Sequence, residues 1–255
     1  MNTITITNQK GGVGKTATAQ IIATGLADRG FRVLAVDADP QTNLSYSVGL
    51  TPDKVSADLY DVFTGADSSL QAIQPTAAGF DALAGSLKLA GADMEFTQAG
   101  REYRLREALE PVKEMYDFCI IDTPPSLGIL TINALTASDG VIIPMNSDIY
   151  SIQGLIQLQG IITNVRKYCN PALKVDGLLL TRYNPRAVIN RNMRDALAPV
   201  AAQLQTIVYN AVIREAIAVR EVQYTQGNLF KDYPKANVTK DYSDFLTEFL
   251  AQHDL

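Results

Sequence analysis

With 255 residues, of which 47% are hydrophobic and 19% charged, the chain is long and apolar enough for one large globular domain, which we assign to residues 1–255. The formal net charge of −5 excludes a protein that is basic all over, so any contact with nucleic acid must come from a local patch. Two cysteines without CxxC spacing argue against a disulfide framework or a zinc site, and no apolar run approaches the ~18 residues of a membrane span, so we expect a cytoplasmic protein.

Short apolar runs alternate with longer helical stretches along the chain. In chain order the predicted elements are a strand at 3–8, a helix at 15–28, a strand at 31–37, a weaker strand at 80–83, a helix at 101–115, strands at 118–122, 141–144 and 175–181, a helix from about 190, and a last helix at 240–252. Residues 51–79 are the least periodic and are predicted to form a surface excursion with short helices. The alternation predicts an α/β fold with a doubly wound, mostly parallel β-sheet flanked by helices.

A glycine-rich loop with two lysines follows the first predicted strand. It reads Lys10-Gly11-Gly12-Val13-Gly14-Lys15-Thr16 and opens the first predicted helix. Glycines let backbone N–H groups crowd around phosphate oxygens at a helix N-terminus, Lys15 would neutralise the β- and γ-phosphates, and the Thr16 hydroxyl would ligate Mg²⁺. The loop therefore predicts a nucleotide site that includes every residue from Lys10 to Ala17.

Two acidic motifs stand at the ends of later strands. Asp37 and Asp39 belong to Val-Leu-Ala-Val-Asp-Ala-Asp-Pro-Gln-Thr-Asn at 33–43, and Asp122 ends the run Tyr-Asp-Phe-Cys-Ile-Ile-Asp, after which Thr-Pro-Pro-Ser follows. Carboxylates at the carboxyl ends of strands lie where ligands bind in open α/β sheets. We expect Asp122 to hold Mg²⁺ through water, and Thr16, Asp37 and Asp122 together to form the metal site.

The glycine-rich loop departs from the ordinary P-loop pattern. Gln9 stands where a glycine is usual, and Lys10 adds a second lysine. This spacing and the acidic motifs resemble the deviant Walker A motif of the ParA/MinD family of ATPases, and are closest to its ParA (Soj-like) branch. The resemblance extends through 141–144, 178–184 and 213–242, so it covers nearly the whole chain, although Ala17 and Thr42 stand where the family often has threonine and glycine.

The resemblance to the ParA/MinD family implies a P-loop NTPase fold of the SIMIBI type, with ATP and Mg²⁺ as cofactors. It implies three catalytic residues. Lys10 reaches across a nucleotide-sandwich homodimer to the partner's phosphates, Lys15 binds the phosphates of its own subunit, and Asp39 orients the attacking water. By position, Arg182 or Asn184 is assigned to the adenine end of the nucleotide.

Resemblance to the ParA branch also implies partners. An ATP-dependent homodimer of that type coats DNA without sequence preference, is stimulated by a ParB-like protein, and is associated with the nucleoid in the cytoplasm. Residues 181–194 contain four arginines and no acidic residue. We assign Arg186, Arg191 and Arg194 to DNA, where each phosphate contact would make binding more sensitive to salt. The alternative for each arginine is an ordinary surface ion pair or a contact with the nucleotide.

Other branches of the family make different demands on the chain. A MinD-like membrane role needs a basic amphipathic C-terminal helix, but the helix at 240–252 has an acidic polar face, so we expect its apolar face to pack on the body and predict no membrane partner. An iron–sulfur role needs suitably placed cysteines, and neither Cys119 nor Cys169 is so placed. Only nine residues precede Lys10, so we expect no N-terminal helix-turn-helix. An ATPase that positions a protein cargo is the alternative that stays open, since its core would look the same.

Overall fold

The computed structural model describes residues 1–146, 150–184 and 188–253, and the side chains of 150–152 and 188–195 lie outside that description. Within it, one sheet contains β1 (Asn2–Ile6), β2 (Val33–Asp37), β3 (Ile73–Pro75), β4 (Asp81–Leu83), β5 (Phe118–Asp122), β6 (Gly140–Asn146), β7 (Gly177–Tyr183) and β8 (Val208–Arg214). The helices are α1 (Lys15–Ala27), α2 (Asn43–Ser47), α3 (Leu59–Thr64), α4 (Ser69–Ala72), α5 (Ala92–Glu95), α6 (Arg104–Leu109), α7 (Ile129–Ala137), α8 (Tyr150–Tyr168), α9 (Val188–Leu204), α10 (Ile217–Thr225), α11 (Leu229–Asp232) and α12 (Asn237–Gln252).

The sheet is parallel apart from β3, and its strand order is β3-β4-β2-β5-β1-β6-β7-β8. Because later strands add on both sides of β1, the predicted doubly wound, mostly parallel sheet is confirmed. Ligands bind beyond the carboxyl ends of the strands in such sheets, next to the point where the strand order reverses. The register brings Ile6, Asp37 and Asp122 side by side at that edge, since Ile6 and Asp37 are both aligned with Asp122.

The two edge strands, β3 and β8, were not predicted from the sequence. β3 has only three residues, pairs antiparallel with β4, and ends at Pro75, a residue that sheets tolerate at an edge. β8 mixes polar and apolar residues and buries only Tyr209 and Ile213 fully. An edge strand needs no continuous apolar run, so neither segment carries the pattern that identifies a buried strand.

The predicted helix at 101–115 is wrong in length, since only α6 is α-helical there and short 3-10 turns flank it at Arg101–Tyr103 and Glu110–Val112. Pro111 explains the early end, because proline has no N–H to donate to the carbonyl four residues before it. The segment 51–79 does contain short helices, as predicted. It is nevertheless more than a surface excursion, because Leu59 and Phe63 of α3 are buried in the core.

Alternating residues of the central strands enter cores on opposite faces of the sheet. In β5, Phe118 and Ile120 belong to the core that contains α1 and α12, whereas Cys119 and Ile121 belong to the core that contains α6 and α7. Burial raises the pKa of the Cys119 thiol, so this cysteine acts as a small hydrophobic residue, as expected.

The apolar face of α12 packs on the body of the protein, which confirms the prediction for this helix. Tyr242, Phe245, Leu246 and Phe249 are buried in the core shared with α1 and β8. None of the helices in the described ranges combines the length and the apolar composition that a membrane crossing requires.

Gly25 lets α1 and α12 approach closely, and it provides a test of this packing. A Cβ at Gly25 would lie 2.3 Å from Leu246 Cδ1 and 2.9 Å from the Phe230 ring. We expect Gly25→Ala to lower the free energy of unfolding by about 1–3 kcal/mol, because overfilling a packed core forces its neighbours to shift. Urea denaturation measures the change.

Gly160 is the matched control, since it is a helical glycine in α8 whose added Cβ would meet nothing within 4 Å. Gly160→Ala should raise the free energy of unfolding by about 0.4–1 kcal/mol through lower entropy of the unfolded chain. Equal stabilities of the two variants would contradict the close approach of α1 and α12.

Candidate functional site

The glycine-rich loop joins β1 to α1 and turns on left-handed glycines. Gly12 has φ 73° and Gly14, the residue that precedes α1, has φ 86°. Side chains with a Cβ adopt such backbone rarely, so these two positions need glycine. The turn presents the first N–H groups of α1 to the loop, which is the arrangement that binds phosphate at helix N-termini.

Hydrogen bonds from neighbouring strands fix the loop in place. Asn8 bridges its start to β6, because the Asn8 side-chain oxygen accepts from Lys10 N at 3.0 Å and its Nδ2 donates to Pro144 O at 2.7 Å. At the other end of the loop, Thr181 of β7 donates from Oγ1 to Val13 O at 2.7 Å. The loop is therefore held by two strands besides the one from which it emerges.

Lys15 lies almost buried at the centre of the loop. Its Nζ is 3.5 Å from Lys10 O. Burial lowers the pKa of Lys15, and the carboxylates of Asp122 and Asp39 oppose that shift. A largely desolvated ammonium group beside backbone N–H groups is well suited to bind phosphate oxygens.

Thr16 and Asp122 meet directly. Thr16 Oγ1 donates to Asp122 Oδ2 at 2.6 Å, whereas Asp122 Oδ1 is buried and accepts no hydrogen bond from any described residue. Burial and the nearby charge of Asp37 raise the pKa of Asp122 well above its usual range. A buried carboxylate oxygen without a donor, next to a hydroxyl, fits the oxygen ligands that Mg²⁺ takes.

Asp37 is held by the helix that follows it. Its Oδ2 accepts from Ser45 N at 2.8 Å and from Ser45 Oγ at 2.7 Å, and its Oδ1 accepts from Asp39 N at 3.2 Å. Burial raises the pKa of Asp37 to about 6, although the hydrogen bonds from Ser45 oppose the shift. Asp37 is aligned with Asp122 on the adjacent strand, and Thr16 is hydrogen-bonded to Asp122, so the three residues predicted as metal ligands lie near one another, but their role as ligands stays a prediction.

Asp39 follows two residues later and is nearly buried beside the cavity. Its Oδ1 accepts from Gln41 N at 2.9 Å, and its carbonyl accepts from Thr42 N. Thr42 has φ 54°, in the left-handed region that favours glycine, at the position where the ParA/MinD family often has that residue. This turn fixes the carboxylate of Asp39 at the wall of the cavity.

A cavity of about 690 Å³ opens over the loop. The loop, Asp39 and Pro125 form one side of it. The far side comes from α2, β8, α10 and α12, with Tyr46, Ile213, Val219 and Tyr242 among its residues. The sequence prediction missed this far wall because β8 was not predicted, although 213–242 already carries part of the family resemblance.

The two residues assigned to the adenine end differ in position. Arg182 lines the cavity, and its Nη1 comes within 3.9 Å of the place where a Cβ of Gly12 would lie. Asn184 is exposed and is not among the residues that line the cavity, and its assignment stays a prediction. Lys10 and the buried Val13 do not line the cavity either.

Arg214 contributes to the far wall through an ion pair with α12. Its guanidinium donates to both carboxylate oxygens of Asp241, at 2.7 Å from Nε and 2.8 Å from Nη2, and this contact raises the pKa of Arg214. The pair joins the end of β8 to α12 beside the cavity.

The residues assigned to DNA cannot be placed as a patch. Arg186 lies outside the described residues. Arg191 and Arg194 lie in α9, but their side chains are outside the description. Their assignment stays a prediction.

Known proteins resemble this chain over most of its length. The AAA_31 family model, described as an AAA domain, matches residues 1–175. The sporulation initiation inhibitor protein Soj of Bacillus subtilis is 38% identical over 97% of this chain and 98% of its own, and the chromosome partitioning protein ParA of Caulobacter vibrioides is 40% identical over 87% and 83%. The crystal structure of a cobyrinic acid a,c-diamide synthase from Mycobacterium smegmatis with bound ADP and magnesium superposes with a TM-score of 0.86 at 34% identity, covering 100% of this chain and 96% of that one.

The buried carboxyls make the stability of the metal-free, nucleotide-free protein depend on pH. Burial raises the folded pKa values of Asp37 and Asp122 above the ordinary 3.8. Their contribution to the free energy of unfolding is therefore full below pH 3.8, and it is lost as the pH rises through the folded values, about 6 for Asp37. Asp122→Asn removes one buried charge. We therefore expect it to raise the melting temperature at pH 7.5, with a smaller gain at pH 5, as measured by calorimetry without Mg²⁺.

Asp117→Asn is the control, because Asp117 is paired with Arg32 on the surface and that contact lowers the pKa of Asp117. Its removal should give no gain at pH 7.5. A melting temperature of Asp122→Asn at or below that of the wild type at pH 7.5 would show that burial of the Asp122 carboxylate does not destabilise the protein.

Proposed function

The chain belongs to the ParA/Soj family of partition ATPases, and we propose that it acts as an ATP-dependent homodimer that binds DNA without sequence preference and is stimulated by a ParB-like protein. It is an ATPase that uses ATP and Mg²⁺. The observation that supports this function best is the cluster in which Lys15, Thr16, Asp37 and Asp122 meet below the glycine-rich loop. We also propose that residues 1–255 form a single P-loop domain, since α12 completes the core around α1.

The residues of the loop are proposed to hold the nucleotide. Backbone N–H groups from Lys10 to Ala17 surround the phosphates, and Lys15 neutralises them. Mg²⁺ would be held by Thr16 and Asp122, with Asp37 supporting its waters, and it would supply charge neutralisation on the phosphates. Arg182 is proposed to contact the nucleotide from the mouth of the cavity. Asn184, two positions after Arg182, keeps its assignment to the adenine end as a proposal.

Asp39 is proposed to orient the attacking water. Phosphoryl transfer needs little covalent work from the protein, so positioning and charge supply most of the catalysis. The hydrogen bond from Gln41 N to Asp39 holds one carboxylate oxygen and leaves the group at the cavity wall. A carboxylate fixed in this way can accept a hydrogen bond from water.

Lys10 is proposed to act in the dimer. Its backbone N–H is fixed by Asn8, and its side chain does not line the cavity of its own subunit. In the proposed homodimer the Lys10 side chain would reach the phosphates of the second subunit. Its positive charge would offset the repulsion between two nucleotides that face each other across the interface.

DNA binding is proposed for Arg186, Arg191 and Arg194, with cytoplasmic, nucleoid-associated action as the consequence. The support is the sequence of 181–194, which holds four arginines and no acidic residue. A MinD-like membrane role is not supported, since the apolar face of α12 is buried. A dimer would place two copies of the arginine patch on one particle, which raises avidity without any new type of contact.

The roles of Asp39 and Lys15 can be separated by kinetics. Asp39→Ala should keep ATP affinity and lose turnover by about a hundredfold, because water is no longer oriented. Lys15→Ala should instead lose nucleotide affinity, which equilibrium binding of a fluorescent ATP analogue would measure. Turnover of Asp39→Ala within about twofold of the wild type would refute the role of Asp39.

DNA binding should require ATP, ignore sequence and weaken steeply with salt. Each phosphate contact contributes a slope of about −0.9 to the log–log dependence on salt. Gel-shift titrations with random duplex DNA, at several salt concentrations and with ATP or ADP, measure this. Replacing Arg191 and Arg194 together with glutamate should abolish binding and leave basal ATPase activity unchanged.

Lys10→Ala is the control for the dimer, since it should keep the arginine patch and lose DNA binding together with ATP-dependent dimerisation. If the double glutamate variant bound DNA as the wild type does, the patch would lie elsewhere, with the exposed Lys235 and Lys240 as the next residues to change. Absence of ATP-dependent binding in the wild type would favour a cargo-positioning ATPase.

A further inference from the structure

Helix α7 begins directly after the loop that follows Asp122, and it cannot cap its own N-terminus. The N-cap residue is Gly128, which has no side chain, and the first turn contains no acidic residue. The cap comes from Asp93 of α5, whose Oδ1 accepts from Ile129 N at 2.8 Å. A carboxylate at this position satisfies an N–H group left without a partner by the helix and complements the helix dipole.

Gly128 is shaped to receive that carboxylate. A Cβ at Gly128 would lie 2.4 Å from Asp93 Oδ2 and 2.8 Å from Oδ1, and its three nearest atoms would all belong to Asp93. The φ of Gly128 is −85°, which any residue adopts, so the close approach explains this glycine and backbone strain does not. Asp93 and Gly128 therefore form one contact.

The segment that carries Asp93 begins against the first acidic motif. Gly85 N donates to Ser45 Oγ at 2.9 Å, and Ser45 Oγ in turn donates to Asp37 Oδ2 at 2.7 Å. A Cβ at Gly85 would lie 2.9 Å from Asp37 O and 3.2 Å from Asp39 O. Residues 85–93 thus connect the strand end that carries Asp37 and Asp39 to the start of α7.

The loop 123–128, which we name the switch loop, is fixed at both ends. Thr123 Oγ1 donates to Ile6 O at 2.9 Å next to the phosphate site, and Thr131 Oγ1 of α7 donates to Ser126 O at 2.6 Å. Pro125, between these anchors, lines the cavity. The position of Pro125 relative to the nucleotide therefore depends on where α7 begins.

We propose that Asp93 is a positioning residue for ATP hydrolysis: by capping α7 it sets the switch loop relative to Asp37 and Asp39. The carboxylate fastens the far end of the switch loop to the 85–93 segment, whose other end packs on the first acidic motif. The switch loop and the first acidic motif, which flank the phosphates, then move as one unit. Asp93 itself touches no substrate, and this inference rests on the hydrolytic role proposed for the site.

Steady-state ATPase kinetics of the full chain test the inference. Asp93→Ala should lower kcat by about tenfold or more through misplacement of the switch loop, and should leave the KM for ATP within about twofold. Gly128→Ala should have the same effect, because its methyl group displaces the Asp93 carboxylate. In the double variant kcat should equal that of Asp93→Ala alone, since the methyl group has nothing left to displace.

Asn228→Ala is the matched control, because the Asn228 side-chain oxygen caps α11 through Phe230 N at 2.9 Å and Lys231 N at 3.2 Å, and none of these three residues lines the cavity. It should lower the melting temperature about as much as Asp93→Ala does and keep kcat within about twofold of the wild type. Asp93→Asn keeps an oxygen that can accept from Ile129 N, so it should restore most of kcat.

A kcat of Asp93→Ala within twofold of the wild type, or lowered no more than that of Asn228→Ala, would make Asp93 a structural cap only. If Asp93→Ala does not fold, a kcat of Gly128→Ala within twofold of the wild type would overturn the inference. If the wild-type chain hydrolyses no ATP, the proposed function fails as well. Hydrolysis by the wild type with unchanged kcat in Asp93→Ala overturns this inference alone.

Discussion

The site depends on keeping carboxylates and a lysine together out of water. Asp37 and Asp122 end adjacent parallel strands in register, Asp39 follows, and Lys15 stands between them and the loop. Buried charges are costly unless they are paired or coordinate a metal, and here the carboxylates outnumber the lysine. The excess of buried carboxylates, with one Asp122 oxygen lacking a donor among the described residues, destabilises the cluster, and its role as a receptor for a divalent cation is our proposal.

Much of the rest of the structure can be understood as support for that cluster. Thr181 and Asn8 tie the glycine-rich loop to β7 and β6, Ser45 holds Asp37, and Thr16 holds Asp122. Each of these contacts is a hydrogen bond to a group that would otherwise be left without a partner in the interior. Farther from the site, Asp93 satisfies a polar group in the same way, because it caps α7 where Gly128 has no side chain to do so.

Distant parts of the chain complete the cavity. β8, α10 and α12 bring Ile213, Val219 and Tyr242 opposite the loop, and the Arg214–Asp241 ion pair fixes the segment between β8 and α10. Because α12 also closes the core over α1, one helix both stabilises the fold and shapes the wall opposite the phosphate loop. The apolar face that a membrane-binding helix would offer to lipid is used inside the protein.

The sequence alone determined the doubly wound sheet, the central strands, the phosphate loop and the three aspartates, because each depends on local pattern: continuous apolar runs, glycines before a helix, and acidic residues at strand ends. It could not determine the edge strands β3 and β8 or the early end of the α-helix before Pro111. Only the tertiary structure decided the partners of Asp37, the far wall of the cavity, and the contact between Asp93 and the start of α7. Each of these features joins residues that are far apart in sequence. They depend on close packing in three dimensions, which no local sequence pattern encodes.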